Sequence, residues 1–383
     1  MDHGIPEEFR EIKLLTRRFV ERELLPYEAE VDRTGVLPLD LRRSLCKRAV
    51  EAGLFAFNMP ASAGGPGLPR LAQVLIREEL GKVGMALSDT VSRPPYALTF
   101  CNPEQRPRFL EPALNADKHW AFALTEPQAG SDVFAMQTRA LPDGDTYRLN
   151  GTKHFISHGE HADFVIVIAR VPEGHGAAGM TAFLVERDTP GFRIGRTHPK
   201  MGWRGYPLNE LVFEDAMVPE SNRLGMIGQG LEVAMSNIND ARMGVAAHCV
   251  GMAQRALDCA VEHARTRIAF GRPIGQMQGL QWMLAEMALA IEQSRSLLYA
   301  VARAMELPGD HRASVSMAKL SATEMAGRVA DQAVQVLGGA GYVAESPVEM
   351  IYRDVRAFRI GEGTSEIQKN QIARGLLGKE LFA

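Results

Sequence analysis

Residues 147–171 read YRLNGTKHFISHGEHADFVIVIARV, two β-rich runs around a polar break. The runs YRLNGTKHFIS (147–157) and DFVIVIARV (163–171) are short and dense in β-branched and aromatic residues, and Asp143-Gly144 and Asn150-Gly151 are turn pairs. TAFLVERD, GFRIG and NELVFEDAMVP carry the same texture on to Pro219. Short strands at regular intervals with no helices between them predict an antiparallel sandwich or barrel beginning near Ala121. A doubly wound dinucleotide fold is disfavoured, because the glycine cluster GGAGY (338–342) follows a helical pattern and lacks GxGxxG spacing.

The flanks differ. EEFREIKLLTRRFVERELLPYEAEV puts Phe9, Ile12, Leu15, Phe19 and Leu24 near helical spacing, and RLAQVLIREELGKV repeats the pattern beyond the loop NMPASAGGPGLP. The prolines of SRPPY (Ser92–Tyr96) interrupt any helix running through Ser88. From Leu231 three long apolar-striped segments predict a helical bundle; in the second, Leu284, Met287, Ile291 and Leu298 form the stripe. The expected organisation is α+β in three domains: helical over 1–120, antiparallel β over 121–229, and a helical bundle over 230–383.

The 383 residues suffice for a large core, and 46% hydrophobic with 23% charged residues is ordinary for a globular chain. A formal net charge of −3 argues against nucleic acid as partner. No apolar run reaches membrane-spanning length, which argues against a membrane protein. Cys46, Cys101, Cys249 and Cys259 lack CxxC spacing and suit reduced thiols. The start MDHGIPEEFREIK has no apolar leader, so a bacterial cytoplasmic location is expected.

Chemistry-bearing motifs are few. HGEH (158–161) has no third ligand at metal spacing and reads as a solvated loop. Arg353, Arg356 and Arg359 read as an exposed helical face, and no GxSxG elbow is present. ALTEPQAGSD (123–132) offers Thr125, Gly130 and Ser131 on a turn after a strand, which suits a phosphate or a heterocycle edge. Near the C-terminus, FRIGEGTSEIQ (358–368) holds Glu362 between two glycines, with Thr364 or Ser365 placed to cap the next helix.

These segments, with MGWRGYPLNELVFEDAMVP, ARTRIAFGRPIGQMQGLQWMLAEMA and AVQVLGGAGYVAESPVEMIYRDVRAFRIGEGTSEIQKNQIAR, resemble the acyl-CoA dehydrogenase family in series over nearly the whole chain. The resemblance implies a C-terminal four-helix bundle, FAD as cofactor, an acyl-CoA substrate, an electron-transferring flavoprotein as acceptor, and a homotetramer with FAD at subunit interfaces. Glu362 stands where the family's base removes the α proton while the β hydrogen leaves as hydride to flavin N5. Leu124 and Thr125 match residues at the flavin pyrimidine edge, and Gly130 and Ser131 those near the pyrophosphate or CoA. Phe155 and Ser157 match the pair flanking the flavin ring, where many relatives carry tryptophan in place of Phe155. Arg267, Phe270, Gln278, Gln335 and Gly339 match a segment reaching a neighbouring subunit's FAD, and Thr364 and Glu366 match contacts to the chain's own. Arg242 matches a substrate-side arginine, and Gly361 and Gly363 leave room beside the base. Gly361 replaces the tyrosine of medium-chain relatives, so a short, branched or cyclic acyl group is expected. Arg93, in the stretch lining the acyl pocket, is read as pointing to solvent. An acyl-CoA oxidase, an enoyl-CoA reductase, an enzyme of carrier-protein thioesters and a non-catalytic acyl-CoA-binding homologue share the same pattern.

Overall fold

The structure, a computed structural model, describes residues 3–378. The N-terminal part is helical: α1 (Glu7–Phe19), α2 (Glu28–Thr34), α3 (Leu39–Glu51), α4 (Arg70–Leu80) and the short α5 (Met85–Ser88) and α6 (Glu111–Leu114). Helix α5 stops at Ser88, and the proline-bearing stretch after it is irregular until a 3-10 turn at Tyr96–Phe100.

The middle part is a sheet of β1 (Trp120–Ala123), β2 (Arg139–Asp143), β3 (Thr146–Ser157), β4 (Phe164–Arg170), β5 (Met180–Glu186), β6 (Phe192–Thr197), β7 (Leu208–Pro219) and β8 (Arg223–Leu224). The order is β6-β7-β3-β2-β4-β5-β8, with β1 beside β4. Most pairings are antiparallel, but β1 runs parallel to β4 over Trp120–Ala123, and β2 meets β4 in parallel at one position. Strand β4 is buried along both faces. Phe164, Ile166 and Ile168 face the core shared with the helices, while Val165, Val167 and Ala169 face a second core inside the sheet. That explains the unbroken apolar run DFVIVIARV. Asn150-Gly151 is not a turn. Both residues lie within β3, where the register against β7 shifts between Leu149 and Gly151. Gly151 has φ +149°, and a Cβ there would come within 2.5 Å of Thr138 Oγ1, so the glycine serves a bulge and a close approach.

The C-terminal part begins with α7 (Gly230–Thr266), followed by a small hairpin of β9 (Ile268–Ala269) and β10 (Arg272–Pro273). Then come α8 (Gln278–Ala304), α9 (Arg312–Leu337), α10 (Gly339–Tyr342), α11 (Pro347–Phe358) and α12 (Ser365–Leu377). Helix α9 packs against α7, α8, α11 and α12 and is the bundle's centre. The N-terminal helices dock on α7. A Cβ on Gly251 would lie 1.9 Å from Glu78 O, and one on Gly81 2.2 Å from His248 O, so only glycines let α4 and α7 approach so closely. Arg255 reinforces the joint with a forked pair onto Glu28, at 2.7 and 2.6 Å. Among the described residues no helix is long and apolar enough to cross a membrane.

Candidate active site

Glu362 opens the site. Its φ is +54°, a left-handed conformation that a residue with a side chain adopts only under constraint. The constraint is a clamp on two carbonyls. Arg242 Nε on α7 donates to Glu362 O at 3.1 Å. Lys319 Nζ on α9 donates to Gly363 O at 2.8 Å, and Gln368 Nε2 on α12 donates to the same two oxygens at 3.3 and 2.9 Å. Thr364 caps α12 by accepting from Ile367 N at 3.3 Å. Gly363, at φ +90°, admits the clamp, because a Cβ there would meet Gln368 Nε2 at 2.8 Å and Arg242 Nη2 at 3.2 Å.

With its backbone held, the Glu362 side chain is left alone. Among the described residues its carboxyl makes no hydrogen bond or ion pair. Burial raises its pKa above the ordinary carboxyl range, opposed by Arg93, Arg242 and Lys319 and aided by Asp240. Lys319 is fully buried, and burial pushes its ammonium down to about 8. Arg242 is lowered by burial, with Glu362 acting against that.

The strand side of the site rests on a second buried pair. Lys153 Nζ reaches Glu126 Oε1 at 2.8 Å and Leu124 O at 2.9 Å. Glu126 also accepts from the backbone N–H of Gln137 at 2.7 Å and Thr138 at 3.0 Å. The turn carrying Thr125, Gly130 and Ser131 is therefore pinned from below. Among the described residues, the N–H groups of Thr125, Gly130, Ser131 and Glu362 find no protein acceptor. Phe155 sits on a β3 irregularity at φ +58° and is 53% exposed. Ser157 bonds the phenol of Tyr206, whose ring packs on Trp203 at 5.4 Å, and Trp203 packs on Phe358 at 5.0 Å. Phe358 begins the segment that carries Glu362, so an aromatic chain joins the sheet to that segment.

Models of the N-terminal, middle and C-terminal domains of acyl-CoA dehydrogenases match residues 6–117, 121–216 and 228–377. The chain belongs to the acyl-CoA dehydrogenase family. The mitochondrial short-chain specific acyl-CoA dehydrogenase of Rattus norvegicus is 38% identical over 379 residues, spanning 97% of this chain and 91% of that one. Acryloyl-CoA reductase (NADH) of Anaerotignum propionicum is 39% identical over 383 residues, 98% of this chain and 96% of its own. The structure of butyryl-CoA dehydrogenase from Megasphaera elsdenii superposes with a TM-score of 0.91 at 36% identity, covering 99% of this chain and 100% of that one. This acyl-CoA dehydrogenase homologue is thus an oxidoreductase of acyl-CoA thioesters that works with FAD. Its residues fit that cofactor: the turn with unpaired N–H groups is tied to β3 by His154 N–H donating to Thr125 O at 2.8 Å, next to the exposed, strained Phe155.

The structure gathers Arg242, Gly361, Glu362, Gly363 and Thr364 at one point, while Glu366 is exposed on the first turn of α12. Arg267, Phe270, Gln278, Gln335 and Gly339 lie elsewhere along the bundle. Gln335 lies 16 residues along α9 from Lys319, about 24 Å at helical rise, and Gly339 lies beyond it. Arg267 is 25 residues from Arg242 on α7, about 37 Å. Phe270, 94% exposed at φ +52°, tips the hairpin, and Gln278 starts α8.

Three expectations change. Arg93 turns inward, with Nη1 2.9 Å from Asp240 Oδ2, because that buried carboxylate needs cations. His158 is buried at φ +57° with Nε2 3.0 Å from Asp89, so HGEH is not a solvated loop. Arg353 is half-buried against Asp32 and Glu349, and Arg359 pairs with Glu324; of the three, only Arg356 is exposed. Lys319, Gln368 and the Lys153–Glu126 pair escaped the sequence reading. The one signal for Lys319 was a lysine amid the Ala and Ser of SVSMAKLSA.

Replacing Lys153 with Met strands a buried carboxylate and is expected to cost about 3–5 kcal/mol, measured by urea unfolding. Adding Glu126→Leu in the same chain should restore most of that loss; a double variant no better than the single would show the pair is not the cause.

Proposed function

We propose that the protein performs α,β-dehydrogenation of a short, branched or cyclic acyl-CoA, with Glu362 as the base that takes the α proton. The observation carrying this reading is the clamp: three buried side chains fix the Glu362 backbone in a strained conformation and leave its raised-pKa carboxyl unpaired. The free N–H of Glu362 would donate to the thioester oxygen as charge develops there. FAD supplies the acceptor for the β hydrogen, which leaves as hydride. Thr125, Gly130 and Ser131 would hold it through backbone N–H and hydroxyl groups, with Leu124 at its edge and Phe155 and Ser157 along its ring. Thr364 and Glu366 would touch its ribose or phosphate. At Gly361 an added Cβ would meet only Ala357 O, at 3.8 Å, which supports a pocket open to a branch or ring.

Gln335 and Gly339 lie far along α9 and beyond it from the clamp, Arg267 lies past the far end of α7, and Phe270 and Gln278 follow Arg267 in the hairpin and at the start of α8. We assign them to the FAD of a neighbouring copy in a homotetramer, which ties cofactor retention to assembly. An electron-transferring flavoprotein is the proposed acceptor. The similarity to an NADH-linked acryloyl-CoA reductase supports the reverse direction as a second reading.

The anaerobic visible spectrum decides the main point. Saturated short acyl-CoA should bleach the flavin band of the wild type, and Glu362→Gln should keep the yellow cofactor while bleaching about 10²–10⁴-fold more slowly. Equal rates would remove Glu362 from the base position. The reactive form is the carboxylate, so the rate should climb as pH passes through the raised pKa. Lys319→Met removes a cation that favours the carboxylate and should move that limb upward by about one pH unit or less, whereas Lys319→Arg should not. A limb that stays put in Lys319→Met argues that Lys319 acts only on the backbone. Phe270→Ser should shift sedimentation toward smaller species and release flavin together; release without dissociation would break the proposed link.

A further inference from the structure

Between α4 and α7 lies a cavity of about 20 Å³, room for one water-sized group, bordered by Phe57, Arg70, Gln73, Arg77, Arg93 and Asp240. Three guanidinium groups meet a single carboxylate there. Asp240 accepts from Arg70 Nη1 at 2.6 Å, Arg93 Nη1 at 2.9 Å and Asn58 Nδ2 at 3.1 Å, so both its oxygens are engaged. Arg77 is left over. It is 5% exposed, its Nε is buried with no acceptor, and among the described residues its guanidinium makes no hydrogen bond or ion pair.

No other group nearby neutralises it. Asp89 is taken by Arg42 Nη2 at 2.9 Å and His158 Nε2 at 3.0 Å. Burial beside Arg77 and Arg93 keeps His248 neutral, and burial beside Asp89 keeps the Tyr206 phenol protonated. Arg42, Arg70, Arg77 and Arg93 face Asp89, Asp240 and the Glu362 carboxyl, so these cations outnumber the carboxyl groups even with all of those ionised. An uncompensated buried cation is among the costliest features a fold can hold, and an anion arriving from outside removes that cost. The cluster also borders the site. Arg93 is the cation that acts most strongly on the Glu362 carboxyl, and Gly244 lines the cavity where a Cβ would come within 3.2 Å of Arg93 Cζ.

We propose that Arg77, aided by Arg93, receives a carboxylate at the far end of the acyl group, so that the preferred substrate is the CoA monothioester of a short diacid. The inference rests on the reading of Glu362 as the acyl-site base and names the substrate class for that site. A guanidinium fork with a free edge matches a carboxylate in shape and charge, whereas an alkyl tail ending there would leave Arg77 unpaired.

The test is binding, which needs no turnover. Holoenzyme carrying Glu362→Gln is titrated calorimetrically with CoA monothioesters of four- to six-carbon diacids and with neutral straight-chain acyl-CoAs of equal length. At least one diacid thioester should bind about tenfold or more tightly than its neutral counterpart. Adding Arg77→Met should abolish that preference without weakening the neutral ligands, and Arg77→Lys should keep part of it. Ligand-free Arg77→Met should melt no lower than its parent, since it loses an unpaired buried charge. Tighter binding of the neutral tails overturns the proposal, as does an equal loss for both classes in Arg77→Met. Flavin bleaching by the wild type with neutral acyl-CoA alone leaves the dehydrogenase reading intact and overturns only the diacid. Arg77-dependent diacid binding without bleaching would sustain the pocket and put the base assignment in question.

Discussion

The site depends on two carbonyl oxygens being held still. Glu362 and Gly363 both have positive φ, and neither belongs to a helix or strand that would fix them. Arg242, Lys319 and Gln368 supply the missing constraint from α7, α9 and α12, and all three donors are buried. Burying an ammonium to reach one carbonyl is unfavourable by itself, which is why Lys319 is pushed down to about 8. Local strain of this kind persists only where surrounding structure over-determines it. Here the bundle does so, with α9 as the element touching every other partner.

The same logic explains why the three parts of the fold are packed so closely. The Glu362 segment hangs from the bundle, the turn around Thr125 hangs from the sheet, and the Arg77 cluster hangs from α4. Relative displacement of an ångström would separate them. Three different devices lock the joints: glycines that let α4 and α7 touch, the Glu28–Arg255 fork, and a β4 strand that gives one face to each core. Lys153 and Glu126 then set the height of the turn without any contact to solvent.

The fold class was legible because it depends on texture, and texture is local. Alternating helical and β-rich stretches reveal which element forms, and FRIGEGTSEIQ reveals a glutamate between glycines. Partnership of charges is not local. Arg93 meets Asp240 across 147 residues and Arg353 meets Asp32 across 321, so no spacing rule connects them. Each was read as exposed because an arginine in a polar stretch usually is. Asn150-Gly151 misled for a related reason: the pair favours a turn, but the same left-hand-tolerant glycine also serves a bulge, and only the neighbouring strand decides. Lys319 was hidden because helical periodicity marks apolar stripes and does not show which polar residue reaches back toward a loop.

The electrostatics around Glu362 form a compromise with a direction. Burial raises the carboxyl's pKa and strengthens it as a base, while Arg93, Arg242 and Lys319 pull it back toward the ionised, weaker form. In the proposed reaction those cations would also stabilise the negative charge that develops on the thioester oxygen when the α proton leaves, so removing them outright would harm the reaction they restrain. A substrate with an anionic tail resolves the tension. Its carboxylate screens Arg93 and Arg77 at the far end of the pocket, leaving Arg242 and Lys319 beside the reacting atoms. The base would then gain proton affinity when the matching acyl group is in place, and act as a weaker base toward neutral ligands. Specificity and base strength become one property of the same buried charge excess.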